Sequence, residues 1–213
     1  MKVLSIETTS DIGSIAFLEG NKVCSEYIFR TSDIASRLIS SIDIILENNN
    51  CKPEELELLV VSYGPGLWTG IRLGMGVAKG IAAGSKAKIF CIGTMDSIFF
   101  GIKGFKTPAL CIINAYRGQV YLSYFNGRFI YKKNYSIKIV KSDELYRICR
   151  GKKKMILTGT GVSILSDRIR QLKNVVIPEE RFLYPYAGLN GLLALEKIQR
   201  GISSAPLKPF YGR

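Results

Sequence analysis

Three stretches of this chain carry residue types at spacings suited to handling a phosphate. Thr8-Thr9-Ser10 follows the apolar run Val3-Leu4-Ser5-Ile6 and the acid Glu7. A hydroxyl-rich turn at a strand end can offer backbone N–H groups and side-chain hydroxyls to an anion. Thr8, Thr9 and Ser10 are therefore candidates for nucleotide contact, although an ordinary hairpin uses the same residues and the spacing alone favours the hairpin. Gly64-Pro65-Gly66-Leu67-Trp68-Thr69-Gly70-Ile71-Arg72 and Gly159-Thr160-Gly161 also follow apolar runs. Neither continues into the Lys-Ser/Thr pair that completes a P-loop.

The remaining chemistry is sparse. The best-placed carboxylates are Glu7, Asp11, Asp96, Asp143 and Asp167, and none pairs at helical spacing with a second ligand type. The chain has no histidine, which removes Ser-His-Asp and Cys-His catalysis and argues against a catalytic zinc site. Its five cysteines are an odd number, widely spaced and without a CxxC, as expected of reduced structural thiols. These residues predict no catalytic set and no metal site.

The elements that position these stretches alternate between strands and helices. Residues 3–6, 14–18 and 22–29 read as strands. A helix from about 33 to 48 carries Ile34, Leu38, Ile42 and Ile45 on one stripe, widened by Ala35, Ile39 and Leu46. That arc is broad for a surface helix and predicts burial on two sides, one against the protein's own sheet and one against a partner. After a strand at 56–62, a helix capped by Thr69 runs to Gly84. Its glycines at 70, 74, 76, 80 and 84 each cost roughly 0.8–1 kcal/mol of helix propensity. Gly76, Gly80 and Gly84 share a face and would admit another backbone closely. Strand 89–92 and helix 94–101 come next.

Beyond a linker at 101–107 the order begins again. Strands are predicted at 109–113, 119–125 and 129–135, the last two joined by Asn126-Gly127. Helix 143–150, strand 155–158, a helix to about 172 and a last helix at 186–200 complete the chain. The repetition predicts a duplicated α/β unit, with lobes at 1–104 and 105–213.

Charge is unevenly shared. Residues 1–105 hold 10 basic and 11 acidic side chains, whereas 106–213 hold 20 and 6. Lys132, Lys133, Lys152, Lys153 and Lys154, interleaved with tyrosines, are candidates for facing an RNA, through phosphate neutralisation and stacking. A solubilising surface and ordinary sheet packing account for the same residues. No apolar run reaches the 18–20 residues that span a bilayer, and Glu7 interrupts any leader-type apolar core, so a cytoplasmic protein is expected.

The stretch from Gly64 to Gly74 resembles the Gly-Pro-Gly-Ser-Phe-Thr-Gly-Leu-Arg motif of the TsaB (YeaZ) family, with Leu67, Trp68 and Ile71 as departures. Leu4-Ser5-Ile6-Glu7-Thr8-Thr9 is similar to that family's opening, with Glu7 where Asp is commoner. Asn114-Ala115-Tyr116-Arg117-Gly118-Gln119-Val120-Tyr121 and the end from Pro206 resemble two further family segments. Leu67 also matches the catalytic paralogue TsaD. TsaD, however, is much longer and carries a metal-binding His-x-x-x-His helix, which this chain lacks.

The resemblance implies a two-lobed fold of the actin-like, sugar-kinase and Hsp70 superfamily. It implies a scaffold subunit that acts with TsaD and the ATPase TsaE in forming N6-threonylcarbamoyladenosine at position 37 of tRNAs reading codons that begin with A. It also implies a homodimer when alone, and ATP or ADP only at the level of the complex. The family's dimer contact is a bundle of the first two helices. It maps to Ile34, Leu38, Ile42, Ile45, Arg72, Gly76 and Gly80, with Ile34-Ala35-Ser36 replacing a common His-Ser-Glu. The alternative is an autonomous small ATPase or kinase, with Glu7 or Asp11 as the metal-holding acid. A direct RNA-binding module is a third reading, and it need not compete with the scaffold.

Overall fold

The protein is described by a computed structural model covering residues 1–30, 34–131, 135–151 and 153–211. Lys132, Lys133 and Lys152, and the expected helix start at Asp33, lie outside the described residues. The chain divides into two compact units, Met1–Ser97 with Pro185–Tyr211, and Ile98–Tyr184.

The first unit is built on a five-stranded sheet. Strands β1 (Lys2–Glu7), β2 (Ile12–Glu19) and β3 (Lys22–Arg30) form an antiparallel meander. Strands β4 (Leu58–Gly64) and β5 (Lys88–Gly93) add in parallel, giving the order β3-β2-β1-β4-β5. β1 and β2 are buried on both faces, so they read as nearly unbroken apolar runs. On one face Leu4, Ile6, Ile15 and Phe17 pack beneath helices α1 (Ile34–Asn48) and α2 (Trp68–Gly84). Each such fully buried side chain contributes about 1.5–3 kcal/mol of transfer free energy. Asn48 and Asn49 at the end of α1 donate to Tyr27 and Ser25 of β3, each at 2.7 Å, which fixes that end to the sheet.

Between α2 and the last helix, α3 (Thr94–Gly101) carries the division between the units. The opposite face of the first sheet is covered by the last helix of the chain, Ala187–Gln199. The backbone N–H of Ala187 donates to Ser14 Oγ at 2.7 Å, and Gly191 leaves only enough room for Leu18. The tail then returns along the same unit. Ser204 Oγ accepts from the Cys91 N–H at 2.8 Å, and Phe210 N–H donates to Tyr63 O at 2.8 Å. This corrects the expected division at 104/105, because residues 185–211 belong to the first unit. The sequence pattern of the last helix shows an apolar face but not which sheet it covers.

The second unit repeats the plan. Strands β6 (Ala109–Tyr116), β7 (Gln119–Phe125) and β8 (Lys138–Lys141) form the meander. β9 (Met155–Thr158) and β10 (Val175–Val176) add in parallel, giving β8-β7-β6-β9-β10. Helices α4 (Glu144–Cys149) and α5 (Asp167–Arg170) pack on Leu110, Ile112 and Leu157, and the helix at Ala187–Gln199 is α6 in chain order. The predicted strand at 129–135 is not one over its described residues. Phe129, Tyr131 and Tyr135 instead cluster around Phe99, Phe100 and Phe125, and β7 pairs with β8. The large aromatic rings gain more from this common cluster than from alternating along a strand. The predicted helix to 172 is a 3-10 segment at Thr160–Ile164 followed by the four-residue α5.

Candidate partner interface

The turn after β1 is roofed by the start of α2. A methyl group at Gly66 would collide with the carbonyl of Thr9, one at Gly70 with that of Thr8, and one at Gly74 with Thr8 Oγ1. Glycine at these three positions lets the helix cross directly over the turn. Leu67, not Thr69, occupies the N-cap position, and its N–H donates to Thr9 O at 2.8 Å. Thr69 is exposed within the first turn.

The hydroxyls proposed for nucleotide contact are committed internally. Thr8 Oγ1 donates to Gly70 O at 2.8 Å, Thr9 Oγ1 to Glu7 Oε1 at 2.6 Å, and Ser10 Oγ to Ile12 O at 2.6 Å. All three residues are buried. The turn is a packed hairpin, with the hydroxyls of Thr8, Thr9 and Ser10 engaged inside the unit.

Glu7 lies wholly within the first unit. Its carboxylate accepts from Thr9 N–H at 2.6 Å, from Asn190 Nδ2 at 2.9 Å and from Ser62 Oγ. Burial pushes its pKa up, and these donors offset part of that shift. Asp96 is also buried and holds Lys197 at 3.2 Å. Among the described residues no three Cys, Asp or Glu side chains converge as a metal site.

The outer surface of α1 and α2 is open. Nothing lies within 4 Å of where a Cβ would stand at Gly76, Gly80 or Gly84. Beside this stripe runs a groove of about 230 Å³ lined by Ile39, Ile42, Asp43, Leu46, Pro53, Val77, Gly80 and Ile81. Ile39 is 53% exposed on its rim. Leu38 and Ile45, expected at the partner seam, are fully buried in the unit's own core. The main apolar stripe of α1 faces its own sheet, and only its flank reaches outward. Ile42 lines the groove floor and Ile34 is half-buried.

At the other end of the face, Trp68 is 56% exposed and lies against Tyr211 with ring centroids 4.5 Å apart. Arg72 sits over both rings, at 5.3 and 5.6 Å, and its Nε donates to Tyr211 OH at 2.8 Å. Trp, Tyr and Arg are the side chains that most often dominate binding energy at interfaces. Trp68, Arg72, Gly76, Gly80 and Gly84 succeed one another at four-residue intervals, so aromatic, cation and glycine track share one helix face. That spacing was the available signal for Trp68. Tyr211 could not be found from sequence, because it arrives from the far end of the chain. Lys153 and Lys154 are exposed in the second unit.

Residues 32–176 match the profile of the TsaD family, tRNA N6-adenosine threonylcarbamoyltransferase. The chain belongs to this family. Within it, the chain groups with TsaB (YeaZ), the paralogue of TsaD. It is 28% identical to the tRNA threonylcarbamoyladenosine biosynthesis protein TsaB of Bacillus subtilis over 141 residues, 66% of this chain and 60% of that protein. The chain thus matches less than two thirds of that relative's length. It is 26% identical to TsaB of Buchnera aphidicola subsp. Schizaphis graminum over 190 residues, 87% of this chain and 89% of that protein. The structure superposes on YeaZ from Pseudomonas aeruginosa with a TM-score of 0.77 at 18% identity, covering 99% of each chain. This likeness shows that the chain shares the two-sheet α/β fold of YeaZ.

Proposed function

We propose that this TsaB-family chain is a non-catalytic scaffold subunit in the formation of N6-threonylcarbamoyladenosine at position 37 of tRNA. In this reading it acts by presenting the outer face of α1 and α2 to the catalytic paralogue TsaD. The observation that carries the reading is the open face itself. A rim isoleucine, an apolar groove and a glycine track lie in one surface, with the Trp68–Arg72–Tyr211 cluster at its end. A partner helix could approach the glycine track closely while its apolar side chains fill the groove beside Ile39 and Ile81. The same face would serve a homodimer when TsaD is absent. TsaE and ATP or ADP would join at the level of the complex, in the cytoplasm.

The autonomous-kinase alternative draws no support from the first unit, where Glu7 is enclosed by its own donors and the hairpin hydroxyls are taken. The scaffold reading is tested by capture of the cognate TsaD on the immobilised chain. Ile39→Asp places a charge on the groove rim without disturbing the core, and should weaken capture at least tenfold at unchanged melting temperature. Undiminished capture would refute this face as the contact.

A further inference from the structure

The charge of this protein is concentrated more sharply in the fold than along the sequence. The first unit, residues 1–97 and 185–211, holds 12 basic and 12 acidic side chains, so it is neutral. Residues 98–184 of the second unit hold 17 basic and 5 acidic side chains, a net +12. Much of that excess converges on one corner.

Arg168 of α5 lies over the ring of Tyr146 of α4, 4.4 Å from its centroid. Arg150 follows Tyr146 by four residues and Arg147 by three, so all three lie toward one side of α4 and its end. Asn174 Nδ2 donates to Cys149 O at 3.0 Å, which brings the chain before β10 against the end of α4. The register Val175 to Met155, with Met155 N–H donating to Asn174 O at 2.9 Å, places Lys173 beside the Lys153-Lys154 lead into β9. Arg147, Arg150, Lys153, Lys154, Arg168 and Lys173 are all exposed. Among the described residues none of them is in an ion pair. Three of the five acids share the short helices α4 and α5 with these cations but form no ion pair with them among the described residues. Asp143, Glu144 and Asp167 are at helix starts, and Glu179, near Glu180, is paired with Arg181 at 3.0 Å.

Six unpaired cations on one corner repel one another, and a polyanion relieves that repulsion. The geometry points to this corner of the second unit as a binding surface for the phosphate backbone of a folded RNA. Three of the six are arginines, whose planar fork matches phosphate oxygens in pairs. The Arg168–Tyr146 pair adds a flat cationic face suited to a ribose or an unstacked base. Half-buried Tyr146 and the short α4 offer no apolar blade for insertion into a lipid surface, which favours RNA over a membrane. The inference rests on the proposed role in tRNA modification for its choice of polyanion, and it adds that this chain itself holds the RNA.

The test measures binding of the full chain to a tRNA-sized stem-loop RNA across a salt series. Parallel arms use duplex DNA of equal charge and phosphatidylserine vesicles. The triple variant Arg150→Ala, Lys154→Ala, Lys173→Ala should bind the RNA at least tenfold more weakly in low salt. Its slope of log affinity against log salt should be shallower by about 2–3, close to one unit per phosphate contact removed. A control that removes the same charge from the first unit, at Lys22, Lys52 and Lys88, should change affinity less than twofold. Arg150→Lys should retain most of the binding. Equal losses in both triple variants, absence of RNA binding by the wild type, or preference for vesicles would each overturn the proposal. TsaD capture by the same variants separates the two readings. Loss of RNA binding with capture intact supports this surface, whereas failure of capture by the wild-type chain refutes the scaffold reading and leaves the RNA result standing.

Discussion

The two sets of glycines in α2 should respond to alanine in opposite directions. Gly76 and Gly80 are helical, exposed and open, with no atom within 4 Å of an added Cβ. Alanine there meets nothing and gains helix propensity of about 0.8–1 kcal/mol per site, so the double variant gains about 2 kcal/mol. For a protein of this size each kcal/mol is worth about 2–4 °C, and thermal unfolding monitored by circular dichroism should show a rise of about 4–8 °C. Gly70 is helical too and has the same propensity to gain, but its Cβ would meet the Thr8 carbonyl, which is backbone and cannot step aside. Relieving that overlap requires α2 to lift from the hairpin, loosening the Thr8-to-Gly70 hydrogen bond. Overpacking of this kind costs typically 1–3 kcal/mol, so Gly70→Ala should lower the melting temperature by several degrees. If Gly76→Ala with Gly80→Ala destabilises the isolated monomer as much as Gly70→Ala does, the outer stripe packs inside the protein. The argument for an open face then fails. Binding gives an independent arm, since leucine at Gly76 and Gly80 should keep the fold and abolish TsaD capture.

Three more expected outcomes concern the interior. Lys197→Met leaves Asp96 buried without its cation and should destabilise the first unit by about 3–5 kcal/mol, measured by denaturant titration; an unchanged midpoint would mean the pair is solvated. Glu7 has a folded pKa raised by burial, so the folded state holds its proton more tightly than the unfolded chain. Its contribution to stability is therefore fully present below the ordinary carboxylate pKa and is lost as pH rises through the raised one. Glu7→Gln should flatten the pH dependence of stability across that window, and an identical pH profile in the variant would contradict the buried, shifted carboxyl. Cys24 is the exposed thiol and the other four cysteines are buried. A thiol reagent should accordingly modify one group rapidly in native protein and five after unfolding, and two or more fast groups would show that a buried site opens.

Much of the architecture was legible because local rules and the tertiary structure agree. The alternation of apolar runs with Gly, Asn and Asp turns marked β1 to β7 and β9, and the repeated order marked the duplication. What was hidden depended on long-range contacts. Thr69 has good capping chemistry, yet the cap falls two residues earlier, at Leu67, whose N–H is held by Thr9 O from the first hairpin. Leu38 and Ile45 formed the strongest stripe on α1, but a stripe shows only that a face is buried, and here the burying surface is the unit's own sheet. The residues that line the outer groove are the weaker flank, Ile39 with Gly80 and Ile81 from another helix, and no one-dimensional period joins residues of two helices. The Trp68–Arg72–Tyr211 cluster was half legible. The i, i+4 pair is visible in the sequence, whereas Tyr211 reaches it from 139 residues beyond Arg72.

The duplication also explains the two glycine motifs that first suggested phosphate chemistry. Gly64 stands at the end of β4 and Gly159 directly after β9, the equivalent strand of the second unit. Both have a positive φ, +108° and +97°, a conformation that side chains disfavour. Two residues later, Gly66 and Gly161 press against the chain of the first strand or its turn, at Thr9 and at Ile112. Each Gly-x-Gly therefore does the same mechanical work, turning the chain sharply at a parallel strand's end and carrying it across the neighbouring strand at backbone contact. Because the contact is made with the protein's own carbonyls, the space that a phosphate would need beside Gly66 is already filled. The units diverge after this turn. Gly66 leads into a 17-residue helix that presents an open outer face, whereas Gly161 leads only through a 3-10 segment to the four-residue α5. The extended glycine helix belongs to the neutral unit, whose surface is free of strong charge repulsion between like copies. The shortened copy belongs to the basic unit, where α4 and α5 expose cations in place of an apolar groove. One repeated plan thus ends in an open helical face in one unit and in a cation-bearing corner in the other.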